Sequence, residues 1–156
     1  MKKRFKTLCA AAVLTCCMAF PALAAETKAE YKEAAAPVRS ELKSLEAEMK
    51  PIREENKAAA AKYKSIRLEK KNGSLSISSE DFKAAKELHK KITEIRKERK
   101  ESTAKSFKAE AKNAVKAKDF DAALQNMNKV LDVKKDRLDS LKEINSLWDQ
   151  IDDLLD

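Results

Sequence analysis

Cysteine is confined to positions 9, 16 and 17 of this 156-residue chain, and histidine to position 89. A zinc site made of Cys and His needs several such ligands, so His89 alone supplies none. Past residue 17 no thiol remains for a disulfide, a nucleophile or a metal. There is one glycine, Gly73, which excludes a Gly-rich phosphate loop. No acidic loop of the calcium-binding type is present. A single His leaves no Ser-His arrangement to single out, and no carboxylate pair stands apart from the many Asp and Glu. We therefore expect no cofactor, no metal site and no enzymatic activity. Three prolines and 5% aromatic residues argue against a β-rich fold.

Charge and alanine are what the chain has in plenty. Charged residues make up 38% of it, and Ala, Glu, Lys and Leu dominate. Such a composition favours long helices that bury a narrow seam instead of a broad core.

The first residues read as a secretory signal. Lys2, Lys3, Arg4 and Lys6 form a positive start, and Leu8 to Phe20 is an uncharged, mostly apolar run. Pro21 follows, then the small-x-small pattern Ala22-Leu23-Ala24, so cleavage is expected after Ala24. The alternatives are an uncleaved anchor, the one way the chain would engage a membrane, and a lipoprotein. Pro21 and the short run weigh against the first; against the second, Leu14-Thr15-Cys16-Cys17 has a Cys where a lipoprotein has a small residue before its Cys. All three cysteines lie in this segment. Cleavage would also remove four of the 34 Lys and Arg and none of the 26 Asp and Glu, reducing the net charge from +8 to +4.

The remainder, 25–156, is expected to be one all-α domain: a long antiparallel three-helix coiled coil with helices near 27–71, 79–118 and 120–155. In the first helix, Val38, Leu42, Leu45, Met49, Ile52, Asn56, Ala59, Tyr63 and Ile66 alternate steps of four and three, a heptad seam. Tyr31 and Ala35 extend it backwards. A 14-residue repeat underlies it: PVRSELKSLEAEMK at 37–50, PIREENKAAAAKYK at 51–64, and a partial SIRLEKK at 65–71. The repeat puts Arg39, Arg53 and Arg67 at e and Glu41, Glu55 and Glu69 at g, beside the seam. Pro37 and Pro51 fall on the outer face. The seam keeps phase through Pro51, which predicts a bend there, not a break. Pro37 is expected to open the main helix after a looser turn from Thr27 to Ala36.

Asn72-Gly73 suits a helix end. Ser78 with Asp81 three residues on resembles a capping box, with Ile77 and Phe82 as its hydrophobic staple. The second seam is Ala85, Leu88, Ile92 and Ile95. Arg99, Ser102 and Ser106 then occupy its continuation, so a stutter is expected between Arg99 and Phe107. The polar middle of this helix is where the bundle should open. The third seam is Leu124, Met127, Leu131, Leu138, Leu141 and Trp148, widened by Ile144, Ile151 and Leu155 and interrupted by Lys134 and Asn145. Asn56 and Asn145 at such positions fix register at a cost in stability. With helices one and three parallel, the two Asn are expected at different levels. Tyr63 and Trp148 are expected in the core, and His89 in packing.

Residues 107–131, FKAEAKNAVKAKDFDAALQNMNKVL, resemble a single tetratricopeptide repeat in the spacing of Phe107, Ala111, Ala114, Ala123 and Met127. Lys118 stands where that repeat has Gly, its later Pro is missing, and there is no second copy. The resemblance implies a helical hairpin and no peptide-binding groove.

Charge is unevenly spread. Residues 25–71 carry +3, 72–118 carry +6 and 119–156 carry −5. The acidic third helix should therefore lie against the basic second one. The Lys-rich stretch 83–118 has only Phe82 and Phe107 near it, so it reads as a solvated face and not as a nucleic-acid site. The reading as a whole is an exported bacterial protein of the periplasm, cell envelope or exterior. It would have a structural or protein-binding role, with a protein partner or self-association. The alternatives are a holdase-type envelope chaperone, which would expose an apolar cradle, and a binder of anionic envelope polymers through the basic second helix.

Overall fold

The computed structural model describes residues 25–74, 77–101 and 104–155; the predicted signal segment, 1–24, lies outside them. Those residues form four helices and no strand: α1 (Lys28–Lys71), α2 (Ser79–Glu101), α3 (Ala104–Ala117) and α4 (Phe120–Leu155). The expected second helix, 79–118, thus appears as two spans.

Each terminus is set by local chemistry. Thr27 caps α1 in a capping box: its hydroxyl accepts from Glu30 N at 3.2 Å, and the Glu30 carboxylate accepts from Thr27 N at 3.2 Å. The helix therefore starts nine residues before Pro37, and the expectation that Pro37 opens it is wrong. A satisfied cap followed by Ala- and Glu-rich sequence outweighs one missing amide bond, and both Pro37 and Pro51 point to solvent. At the far end, Gly73 adopts φ 75°. Ser74 N donates to Glu69 O at 3.0 Å and Gly73 N to Lys70 O at 3.2 Å, a Schellman closure. Lys70 Nζ reaches across to Ile77 O. Ser78 Oγ accepts from Asp81 N at 2.9 Å to cap α2, and Ile77 and Phe82 pack half-buried against the same core. Between α3 and α4 a second Schellman closure forms, Asp119 N to Ala114 O at 2.9 Å and Lys118 N to Val115 O at 3.2 Å. Here Lys118 takes the left-handed conformation, φ 63°, that glycine would take freely. Asp119 then caps α4, accepting from Ala122 N at 3.0 Å.

Helix α4 is the central element. It packs closely on α1, α2 and α3, whereas among the described residues no α-carbon of α1 comes within 8 Å of one in α2 or α3. Contacts between α1 and α4 advance together, from Tyr31 with Met127 through Glu46 with Lys134 to Lys62 with Asp152, so the two helices run parallel. Helices α2 and α3 return antiparallel. At about 1.5 Å per residue, the 44 residues of α1 span about 66 Å and the 36 of α4 about 54 Å.

The core divides into three clusters along this length. At one end Ala25, Tyr31 and Ala35 meet Phe120 and Ala123, with Ala114 and Val115 of α3 alongside. In the middle Val38, Leu45 and Met49 of α1 meet Leu131, Leu138 and Leu141 of α4, and among the described residues no apolar side chain of α2 or α3 joins this cluster. At the other end Tyr63, Ala85, Ile92, Ile144, Trp148 and Ile151 join α1, α2 and α4. Among the described residues the apolar core thus draws on three helices at both ends and on two in the middle.

Candidate functional site

The expected seam residues divide by depth. Val38, Leu45, Met49, Tyr63, Ile92, Leu131, Leu138, Leu141 and Trp148 are buried. Leu42, Ile52, Ile66, Leu88, Ile95, Leu124 and Met127 are half-buried. Val130 and Leu147 are also buried. A single seam drawn on α4 misses them, because α4 is covered on two sides and its apolar face is correspondingly wide. A moderate widening of the spacing pattern, of the kind Ile144 and Ile151 already gave, is the signal that finds them.

Where the apolar core narrows, polar residues from three helices converge. Asn56, 4% exposed, donates from Nδ2 to Leu141 O at 3.0 Å, while its Oδ1 is buried without a partner. That carbonyl already receives the helical N–H of Asn145, so the bond is supplementary. Asn145 is half-buried and donates to Glu55 Oε2 at 3.1 Å. The two asparagines therefore lie at one level, not at different levels as expected. The parallel α1 and α4 are in register over their whole length, which brings position 56 opposite the turn from 141 to 145. Each amide takes its own partner.

Lys134 interrupts the α4 seam and turns to α1, where its ammonium lies 2.6 Å from Glu46, with a side chain only 14% exposed. The same carboxylate pairs with Arg53 at 2.6 Å. Hydrogen bonds from Arg53 and Lys134 hold the Glu46 carboxyl down at about 2. Arg99, the polar residue at the continuing seam position of α2, is half-buried. Burial, and then the charges of Arg137, Arg96 and Arg53, lower its pKa. Arg137 on α4 has its Nε shielded from solvent with no hydrogen-bond partner. The middle of the bundle is thus a cationic layer built from α1, α2 and α4, with Glu46 shared between two of its members. Arg137 had no sequence signal of its own, being neither on the seam nor in the repeat.

Next along the bundle is an aromatic cluster that ties the same three helices. Tyr63 stacks on His89 with centroids 4.8 Å apart, and both meet the Trp148 ring at 5.7 Å. Arg67 lies over Tyr63 at 5.9 Å and Arg96 over Trp148 at 5.8 Å. Burial first, then Arg67 and Arg96, lower the His89 pKa and favour its neutral form. The repeat arginines share one habit. Arg39 covers Tyr31 at 5.7 Å, Arg67 covers Tyr63, and Arg53 Nη2 contacts Met49 Sδ at 3.5 Å, each lying over a seam residue of its own helix.

Ion pairs between helices join α4 to α1: Lys135 with Glu41 at 2.7 Å, Lys142 with Glu48 at 2.8 Å, Lys134 with Glu46, and Lys62 with Asp152. Helix α4 also lies along basic α2 and α3, as its charge suggested, yet its pairing lysines find their acids on α1. Among the described residues no group of three or more His, Cys, Asp or Glu is placed to hold a metal ion, and no helix is long and apolar enough to cross a membrane. Comparisons with protein-family models, with curated proteins and with solved structures give no match.

Proposed function

We propose that this chain is an exported protein of the bacterial envelope, a three-helix coiled coil with a structural or protein-binding role and no catalytic centre. One observation carries the reading. Among the described residues, Leu68, 52% exposed, is the only large apolar side chain open to solvent. Among the described residues the apolar faces are otherwise buried or half-buried within the bundle, and the fully exposed surface is a long rod of mixed charge. Such a rod suits specific docking through charged faces, with recognition governed by complementarity. A holdase chaperone needs the opposite, a contiguous exposed apolar surface for unfolded clients. Two assays separate these. Photoreactive side chains placed in turn at exposed positions of α1 and α3 should give discrete protein adducts in the envelope. The purified protein should leave the aggregation of an unfolded client unchanged at equimolar ratio. Suppression of aggregation together with a smear of adducts sinks the scaffold and installs the chaperone.

A second reading has its own observation. Lys105, Lys108, Lys112 and Lys116 recur at steps of three and four on α3, all exposed, and Glu110 is the sole acid of that helix. This stripe favours binding of an anionic envelope polymer, with an affinity that falls steeply with salt. Replacing Lys108 and Lys112 by Gln should abolish retention on such a polymer at low salt; unchanged retention removes this reading.

A further inference from the structure

The chain from Ala25 to Thr27 is held by carboxylates at every backbone nitrogen. Ala25 N donates to Asp121 Oδ1 at 2.9 Å, Glu26 N to Glu30 Oε2 at 2.9 Å, and Thr27 N to the same oxygen at 3.2 Å. Ala25 is not a loose end: it is 8% exposed and belongs to the core cluster of Tyr31, Ala35, Phe120 and Ala123. Asp121 lies in the first turn of α4, next to Phe120, which stacks on Tyr31 at 5.5 Å. The small side chain of Ala25 thus sits at the meeting point of α1 and α4, its nitrogen aimed at a carboxylate from the other helix.

Ala25 is also the residue that follows Ala22-Leu23-Ala24, the expected cleavage pattern. Hydrolysis of the Ala24–Ala25 peptide bond consumes one water, leaves a carboxylate on Ala24 and a free amine on Ala25. At neutral pH that amine is predominantly an ammonium. We propose that Asp121 is the docking site for the new α-ammonium of Ala25, so that processing converts an amide hydrogen bond into an ion pair that locks α1 to α4. This rests on the export reading given above. The physical gain is twofold. A charge-assisted bond is stronger than a neutral one, and the ammonium lies two residues before the Thr27 cap of α1, close to the positive end of that helix, where a neighbouring acid offsets the unfavourable charge. Asp121 supplies that acid in addition to its place at the start of α4.

The test uses the protein recovered from the exporting cell, with its N-terminus read by mass spectrometry. The result expected is a chain beginning at Ala25. Its thermal midpoint is then compared with that of the same chain carrying one added alanine before Ala25, each with and without Asp121→Asn. The added residue should lower the midpoint by about 3–5 °C, as expected for a partly exposed pair in a domain of this size. In the D121N background that difference should vanish, since the partner of the ammonium is gone. Asp121→Glu should restore part of it. A chain that begins elsewhere overturns the cleavage reading and the proposal with it. A chain that begins at Ala25 but shows equal midpoints, or the same loss with and without D121N, overturns the pairing alone.

Discussion

Replacing Asn56 with valine should stabilise the protein. The side chain is 4% exposed, its Nδ2 bonds to a carbonyl already used by α4, and its Oδ1 has no partner. Leaving a buried acceptor unsatisfied costs about 1–3 kcal/mol, while the bond lost with Nδ2 contributes about 0.5–1.5 kcal/mol. Valine also adds apolar surface to the seam between Met49 and Tyr63 without the volume of leucine, which limits overpacking. The net expectation is a gain of about 1–2 kcal/mol, a rise of about 3–8 °C in the thermal midpoint. Asn56→Asp keeps the shape but buries a carboxylate beside the Leu141 carbonyl, and should lower the midpoint strongly at pH 7 and less at pH 4, where protonation relieves it. Both are read by thermal melts followed by circular dichroism. A fall of several degrees for N56V would mean instead that Oδ1 is engaged and that the asparagine stabilises the bundle beyond setting its register.

Two further expectations follow from single positions. Lys118→Gly removes the cost of holding a side chain at φ 63°, offset in part by the freer unfolded chain, so a net gain of about 0.5–1 kcal/mol is expected in urea titration; a loss would mean that the Lys118 side chain stabilises the α3–α4 turn. Glu46→Gln should destabilise at pH 7 by no more than about 1 kcal/mol, since the carboxylate is half-exposed and screened. Its folded pKa is lowered from about 4.5 to about 2. The contribution is therefore complete above pH 4.5 and fades as pH falls toward 2. A gap between the two proteins that stays constant from pH 7 to pH 3 would contradict the assignment.

Much of this fold was legible in the sequence because heptad spacing reports burial directly. Val38, Leu45, Met49 and Tyr63 were visible as one stripe, and Ser78 with Asp81 announced the start of α2. The outer bound of α1, near residue 27, was legible, but Pro37 was wrongly given the opening of its main part because it carried more weight than the capping box of Thr27 and Glu30, which is spelled out in the sequence as Thr-x-x-Glu. The polar layer was half legible. Asn56, Arg99 and Lys134 stood out as seam faults in three separate helices, but their convergence depends on the register between helices, which no single-helix period encodes. The parallel alignment of α1 with α4 also put Asn56 level with Asn145. Arg137 and the stacking of His89 on Tyr63 depend on which helix faces which, and composition is silent on that.

The central claim is that the apolar seams of one chain close on each other. Sedimentation of the purified protein over a concentration series, with far-ultraviolet circular dichroism on the same samples, tests it most directly. The expected result is a helical monomer, elongated, with a mass and helicity independent of concentration. A helical dimer that dissociates and loses helicity together on dilution would contradict it, because the seams would then be closing between chains.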